Sequence, residues 1–180
     1  MKTRIWTMNK KHLLWLPLLL LAGGCFWGSS YREVADYDLT PVKTKLPVAV
    51  KFDIFRNLSG ADRRFLYSRG NEVFCDEYNR WISGPEVMLM RALSAAMPDS
   101  TVSGVRLGIT VYRFVWSGTE ARLGVEITLS QNGTTKVWNK LFTSNAKDKT
   151  PAELAAAMSD CVELLAGDIA SALAADQKKK

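Results

Sequence analysis

Several stretches of the chain alternate apolar and polar residues, which is the pattern of a β-strand that buries one face. They are residues 47–55, 105–111, 123–129 and 135–142. In the first, Val48, Val50, Phe52 and Ile54 are predicted to share the buried face. Residues 64–69 and 72–78 predict a hairpin about Gly70-Asn71. Asn132-Gly133 is typical of the tight turn that joins two antiparallel strands.

Two further segments predict helices. Ser83-Gly84-Pro85-Glu86 combines a serine cap, a proline in the first turn and a glutamate three residues after the serine, and opens a helix to Met97. Residues 150–153 (Thr-Pro-Ala-Glu) repeat this arrangement before a helix that runs to about Ala174. The order is βββ-α-βββ-α. We expect an α+β domain over residues 47–175, with a mostly antiparallel sheet and two helices on one face.

The N-terminal region has a different pattern. A basic front containing Lys2, Arg4, Lys10 and Lys11 precedes an apolar run over residues 13–22. A helix of about ten residues rises roughly 15 Å, which is about half of a hydrocarbon core. A basic stretch, a short apolar stretch and small residues together indicate an export signal over residues 1–24.

The segment Leu-Ala-Gly-Gly-Cys that ends at Cys25 resembles the lipobox of bacterial lipoproteins. The resemblance implies a lipid on Cys25, removal of residues 1–24, and a tether over residues 25–46. Phe26 stands where aspartate commonly retains such proteins at the inner membrane, so we expect the outer membrane, facing the periplasm. The alternatives are an ordinary secretion signal with a chance cysteine and a true start at Met8.

Charge and composition exclude several classes of function. The chain carries 24 Lys and Arg, and removing the signal's four leaves 20 against 18 Asp and Glu. With no basic face, nucleic acid is not an expected partner, and residues 176–180 form only a short basic tail. His12, the sole histidine, leaves with the signal. We therefore expect no enzyme, no metal and no cofactor beyond the covalent lipid.

Two cysteines remain besides Cys25. Cys75 and Cys161 would meet an oxidising compartment in an exported protein, so a disulfide between them is chemically allowed. Each also stands where an apolar side chain fits, and a buried free cysteine behaves as a small hydrophobe. Both alternatives stay open at the level of sequence.

The segment Tyr78-Asn79-Arg80-Trp81-Ile82-Ser83-Gly84-Pro85, with its following helix, resembles the ABC-type transport auxiliary lipoproteins, the paraquat-inducible protein C-like family. An aromatic–x–Arg–Trp element before the first helix is the shared feature. Asn79 departs from the histidine that is common there. The resemblance implies an accessory component that acts with an ABC permease and a mammalian-cell-entry-type protein in transport of lipids or other apolar molecules between membranes.

Arg80, Trp81 and Tyr78 are the candidate partner-binding residues, since Trp, Tyr and Arg are frequent binding anchors. The alternative is that Trp81 packs the sheet and Arg80 pairs with Asp76 or Glu77. Two other functions remain open: activation of a peptidoglycan synthase, and assistance in lipopolysaccharide assembly. A homo-oligomer stays open as well.

Overall fold

The computed structural model describes residues 32–99 and 104–177. The signal, Cys25 and residues 178–180 lie outside that range, so what the sequence predicts for them stays a prediction. One compact unit begins at Val34 and holds every strand and helix described. Among the described residues, no helix combines the length and hydropathy needed to cross a bilayer.

The described part of the chain has an α+β fold in which two helices accompany a mixed sheet. The strands are β1 (Ala35–Tyr37), β2 (Lys51–Asn57), β3 (Arg64–Arg69), β4 (Glu72–Trp81), β5 (Arg106–Ser117), β6 (Glu120–Gln131) and β7 (Thr134–Asn145). The helices are α1 (Pro85–Ala95) and α2 (Pro151–Gln177). The α+β prediction is confirmed, and the order gains one short strand, β1, ahead of the three predicted before the first helix.

Strand β5 is the centre of the sheet, whose order is β1-β4-β3-β5-β6-β7. Along one edge β5 pairs antiparallel with β6 from end to end, with a register shift at Tyr112. Along the other edge it pairs in parallel with β2 at its beginning and with β3 at Trp116. The antiparallel pairs β3–β4, β5–β6 and β6–β7 contain most of the paired residues. Helix α1 packs on β2 and β5, and α2 packs on β6 and β7.

The core lies between the helices and one face of the sheet. Alternate residues of β5 and β6 enter it, as the sequence pattern predicts, and are at most 1% exposed: Leu107, Ile109, Val111, Leu123, Val125 and Ile127. At one end the core becomes aromatic, where Phe65, Trp81, Phe114 and Trp116 lie within 5.5 Å of a neighbouring ring centroid. The Trp116 indole N–H donates to the carbonyl of Leu154, which ties this cluster to α2.

Two local predictions are wrong in detail. Strand β2 begins at Lys51, and its register against β5 shifts between Phe52 and Phe55. The shift turns Ile54 outward, where it is 51% exposed, and brings Phe55 against Phe52 at 5.0 Å between ring centroids. At α1 the N-cap is the extended Gly84 with no side-chain cap, so Ser83 does not cap the helix as predicted.

Residues 35–46, predicted as tether, belong to the folded unit. Leu39, Val42 and Leu46 are buried in the core. The carboxylate of Glu163 on α2 accepts hydrogen bonds from the backbone N–H of Lys43 at 2.7 Å and of Thr44 at 2.9 Å. The segment looked like a linker because its apolar residues are widely spaced among polar ones. The stretch between Cys25 and the first strand is therefore shorter than the sequence indicated.

Candidate functional site

The candidate partner-binding segment lies in an irregular part of β4. Arg64 pairs with Arg80 and Leu66 pairs with Cys75, so residues 76–79 have no regular partners on β3. Such an insertion bends a strand and re-aims its side chains. It places Asn79 and Trp81 inward and leaves Tyr78, Arg80 and Ile82 exposed on the other face.

Asp76 holds this bulge in place. Its Oδ1 accepts hydrogen bonds from the backbone N–H groups of Tyr78 at 2.8 Å and Asn79 at 3.0 Å. Its Oδ2 accepts from the Asn79 side-chain amide at 2.8 Å and from the Tyr67 hydroxyl at 3.3 Å. Partial burial alone would raise the pKa of Asp76, but the donors from Asn79, Tyr78 and Tyr67 outweigh it and lower that pKa. The bulge is thus built around an ionised carboxylate.

Arg80 is bound to the first strand of the fold. Its Nε donates to Asp36 Oδ1 at 2.8 Å, and the Arg63 guanidinium lies 3.3 Å from the same oxygen. The hydrogen bond from Arg80 is the main cause of the lowered pKa of Asp36. Arg63 also donates through Nε to the carbonyl of Trp81 at 3.1 Å. The predicted alternative pairing of Arg80 with Asp76 or Glu77 is wrong, because Asp76 is occupied within the bulge and Arg80 forms its ion pair with Asp36.

The alternative that Trp81 packs the sheet is confirmed, and the prediction of Trp81 as a partner-binding residue is wrong. It is 0% exposed, it stacks on Trp116 with ring centroids 5.5 Å apart, and it also contacts Phe65 and Phe114. Its backbone N–H donates to the carbonyl of Arg63 at 2.7 Å. An indole enclosed on every side by core residues cannot reach a partner, so its role is to anchor β4 while its neighbours face outward.

The residues that can meet a partner form what we call the β1–β4 surface: Asp36, Glu77, Tyr78, Arg80 and Ile82. Tyr78 and Ile82 are each 39% exposed, and Arg80 is 46% exposed. Beside them lies a shallow polar groove of about 510 Å³, lined by Arg63, Arg64, Cys75 and Glu77 among others. Sequence reasoning found Tyr78 and Arg80. It missed Asp36, because the short strand that carries it has no alternation of its own.

Both cysteines of the fold are free thiols, so the disulfide that the sequence allowed is not formed. Cys75 is exposed on β4, where the Arg64 guanidinium lies 3.8 Å from its sulfur. Cys161 is buried on α2 and donates to the carbonyl of Ala121 at 3.6 Å. The physical reason is that Cys75 points out from the sheet whereas Cys161 points into the core.

The β1–β4 surface presents an ion pair, hydrogen-bonding groups and an exposed aromatic ring. Within residues 32–99 and 104–177, no three His, Cys, Asp or Glu side chains are grouped so that they could hold a metal ion. Asp36 on β1 is paired with Arg80 on β4.

Comparisons with known proteins show the fold alone. No family model matches the chain, and no curated protein sequence matches it either. Its structure resembles that of a Xanthomonas campestris protein of the family DUF330, with a TM-score of 0.60 and 16% sequence identity over 81% of this chain and 98% of that one. It also resembles the crystal structure of an uncharacterized protein, with a TM-score of 0.60 and 15% identity over 78% of this chain and 99% of that one.

Proposed function

We propose that the chain is a membrane-anchored accessory lipoprotein that docks onto an ABC permease and mammalian-cell-entry-type complex through the β1–β4 surface. The proposal keeps the outer membrane, the lipid on Cys25 and transport of lipids or other apolar molecules that the sequence resemblance implies. In this role the chain positions its partners, and ATP hydrolysis belongs to another subunit.

The observation that carries the proposal is the pairing of β1 with β4. Ala35 lies opposite Asn79, Asp36 opposite Arg80 and Tyr37 opposite Trp81. The chain that leads back to Cys25 therefore departs beside Tyr78 and Arg80. Ten peptide steps separate Cys25 from Ala35, and a fully extended chain spans roughly 35 Å over that number.

This short span limits the kind of partner. If the lipid on Cys25 is held in a bilayer, the β1–β4 surface stays within a domain's diameter of it. A mammalian-cell-entry-type protein that extends to the same membrane meets that requirement, and the permease in the other membrane is engaged only through it. An activator of a peptidoglycan synthase in the opposite membrane needs a longer reach, so the tether length weighs against that alternative.

The side chains also fit docking. Tyr78 offers a flat, amphipathic ring, and Arg80 is pre-oriented by Asp36 instead of being free to rotate. Little side-chain entropy is therefore lost when it meets a partner. Exposed tyrosine and arginine are enriched among residues that dominate binding energy at interfaces.

The test is photo-crosslinking in the native envelope. A photoreactive amino acid replaces Tyr78 in the full-length chain, and a matched variant carries it at Leu164, which is 50% exposed on α2. After illumination, membranes are dissolved in detergent and the crosslinked proteins are identified by mass spectrometry. We expect a mammalian-cell-entry-type protein from position 78 and little from position 164.

Two results would overturn the proposal. One is a large outer-membrane barrel or a peptidoglycan synthase as the main product at position 78. The other is equal crosslinking of both positions, which would indicate nonspecific contact. Mass analysis of the peptide that begins at Cys25 checks the anchor separately, so a missing lipid and a misplaced docking surface can be told apart.

A further inference from the structure

Strand β7 forms one end of the sheet among the described strands, and its long outer edge pairs with none of them. Among the described strands it pairs with β6 alone, over residues 134–145 and without any register shift. Native proteins usually protect such edges with bulges, prolines or outward-pointing charges. Strand β7 has neither bulge nor proline, and its two lysines, Lys136 and Lys140, stand on the helix-covered face, while the other face exposes Val137 to 56% and Leu141 to 48%.

The two faces of β7 differ in chemistry. On the helix-covered face Trp138 Nε1 donates to Asp168 at 2.8 Å, and Lys140 Nζ lies 2.9 Å from the same carboxylate. These contacts fix the strand on α2. The other face consists of uncharged, exposed residues in the order Thr135, Val137, Asn139, Leu141, Thr143.

The backbone N–H and C=O groups along the open edge belong to these same residues. The Tyr112 hydroxyl, on β5, donates to the carbonyl of Lys140 at 3.1 Å. That carbonyl therefore points toward β6, because β5 lies beyond β6. In an antiparallel strand, successive residues direct their N–H and C=O groups to opposite edges. The odd-numbered residues 137, 139 and 141 consequently direct theirs outward.

We infer that a second copy of this chain pairs with this edge, β7 against β7, antiparallel about a two-fold axis at Asn139. The exposed residues of one copy then lie opposite those of the other: Thr135 faces Thr143, Val137 faces Leu141, and Asn139 faces Asn139. Directly opposed pairs of this kind stabilise antiparallel sheets. A two-fold interface requires a self-complementary surface. The alternate residues from 135 to 143 provide one, because their order (Thr, Val, Asn, Leu, Thr) is almost the same in both directions.

Charge favours this register over its neighbours, with Asp168 neutralising part of the charge of Lys140. With Asn139 at the axis, Lys136 faces Phe142 and Lys140 faces Trp138 of the second copy, so no two lysines oppose each other. Moving the axis to residue 138 places Lys136 against Lys140, and moving it to residue 140 places Lys140 against itself. Like charges directly opposite destabilise a strand pair. Such a dimer depends neither on the lipid anchor nor on the proposed partners.

The experiment is a charge exchange at the axis. The full-length chain is purified in detergent as wild type, Asn139→Glu and Asn139→Lys, and the mass of each species is measured by light scattering that is corrected for bound detergent. We expect wild type to dimerise and each variant alone to raise the dissociation constant roughly fivefold or more, because like charges then meet. An equimolar mixture of the two variants should restore the dimer, since a carboxylate then faces an ammonium group across the axis. Thr128→Glu is the matched control, on the same face of β6 away from the edge.

Recovery in the mixture separates loss of the interface from loss of folding, because a misfolded variant cannot be rescued by another. A crosslink tests the register. In a Cys75→Ser background, Val137→Cys on one tagged copy should form a disulfide with Leu141→Cys on another far more than with Val137→Cys. A wild-type monomer at all concentrations, unrestored mixtures, or a different protein on this edge would each overturn the inference.

Discussion

Arg80 Nε and Asp36 Oδ1 lie 2.8 Å apart, and this ion pair joins the strand that follows the predicted anchor to the strand that carries the candidate docking residues. The two side chains are 46% and 44% exposed, so water and salt screen their attraction. We therefore interpret the contact as orientation of Arg80 more than as stabilisation of the fold.

This interpretation predicts a separation between folding and docking. Arg80→Gln should leave the urea midpoint almost unchanged, because exposed ion pairs contribute little to stability. It should nevertheless reduce crosslinking from position 78 several-fold. Arg106→Gln, an exposed arginine on β5, is the matched control and should change neither. A large fall in the urea midpoint for Arg80→Gln would show that the pair is structural.

Trp81 and Tyr78 should respond in opposite ways to truncation. Trp81→Ala removes a ring that is fully buried among three other aromatic rings, so it should lower the free energy of unfolding by about 3–5 kcal/mol. Tyr78→Ala removes an exposed ring and should cost at most about 1 kcal/mol. Denaturant unfolding followed by circular dichroism measures both. Equal losses of unfolding free energy in the two variants would contradict the placement of Trp81 in the core and Tyr78 on the surface.

The sequence predicts the parts of this fold that depend on local chemistry. The β6–β7 turn has positive φ values at Asn132 and Gly133, as the Asn-Gly pair requires. Helix α2 begins at Pro151, where the capping pattern places it. In both cases the deciding contacts lie within a few residues of one another, so the pattern alone is sufficient.

The features that the sequence does not reveal depend on distant contacts. Glu163 binds the backbone of Thr44 across 119 residues, and this turns an apparent tether into part of the fold. The inward direction of Trp81 follows from a bulge that the Asp76 side chain holds. With β4 predicted to end at Tyr78, no alternation reached Trp81. The sequence therefore left two alternatives open for Trp81, and its burial confirms the one in which it packs the sheet, while Tyr78 and Arg80 are exposed.

Tyr67 should make stability depend on alkaline pH. Burial, followed by the nearby Asp76 carboxylate, raises the pKa of Tyr67 from 10.0 to about 12. The folded state thus holds this proton more tightly than the unfolded chain does. The stabilisation of the folded state that results from this difference in pKa is complete below pH 10 and is lost as pH rises toward 12. Urea midpoints measured from pH 8 upward should fall for wild type and fall less for Tyr67→Phe. An equal fall of the urea midpoint with pH in the two proteins would refute the raised pKa of Tyr67.

The two free thiols should differ sharply in reactivity. Cys75 is exposed, whereas burial, followed by Asp160, raises the pKa of Cys161 to about 12. A maleimide added to the native protein should modify Cys75 within minutes and Cys161 only after unfolding, because the thiolate is the reactive form. Peptide mass spectrometry assigns each site. Unmodified Cys75 that becomes reactive only after reduction would instead indicate a disulfide.

Gly124 should tolerate no side chain, because the Tyr112 ring crosses over it to reach the carbonyl of Lys140. A Cβ at position 124 would lie 2.5 Å from Tyr112 Cε2 and 2.9 Å from Arg113 Cβ. Gly124→Ala should therefore lower the free energy of unfolding by about 1–3 kcal/mol. Adding Tyr112→Ala removes the first clash and should recover part of the loss, while the contact with Arg113 remains.

Gly167→Ala is the control, since a Cβ added there in α2 would have no atom within 4 Å. It should raise stability by up to about 1 kcal/mol, because alanine favours a helix over glycine. Additive effects of the two β-sheet substitutions in denaturant unfolding would show that the ring does not need the glycine.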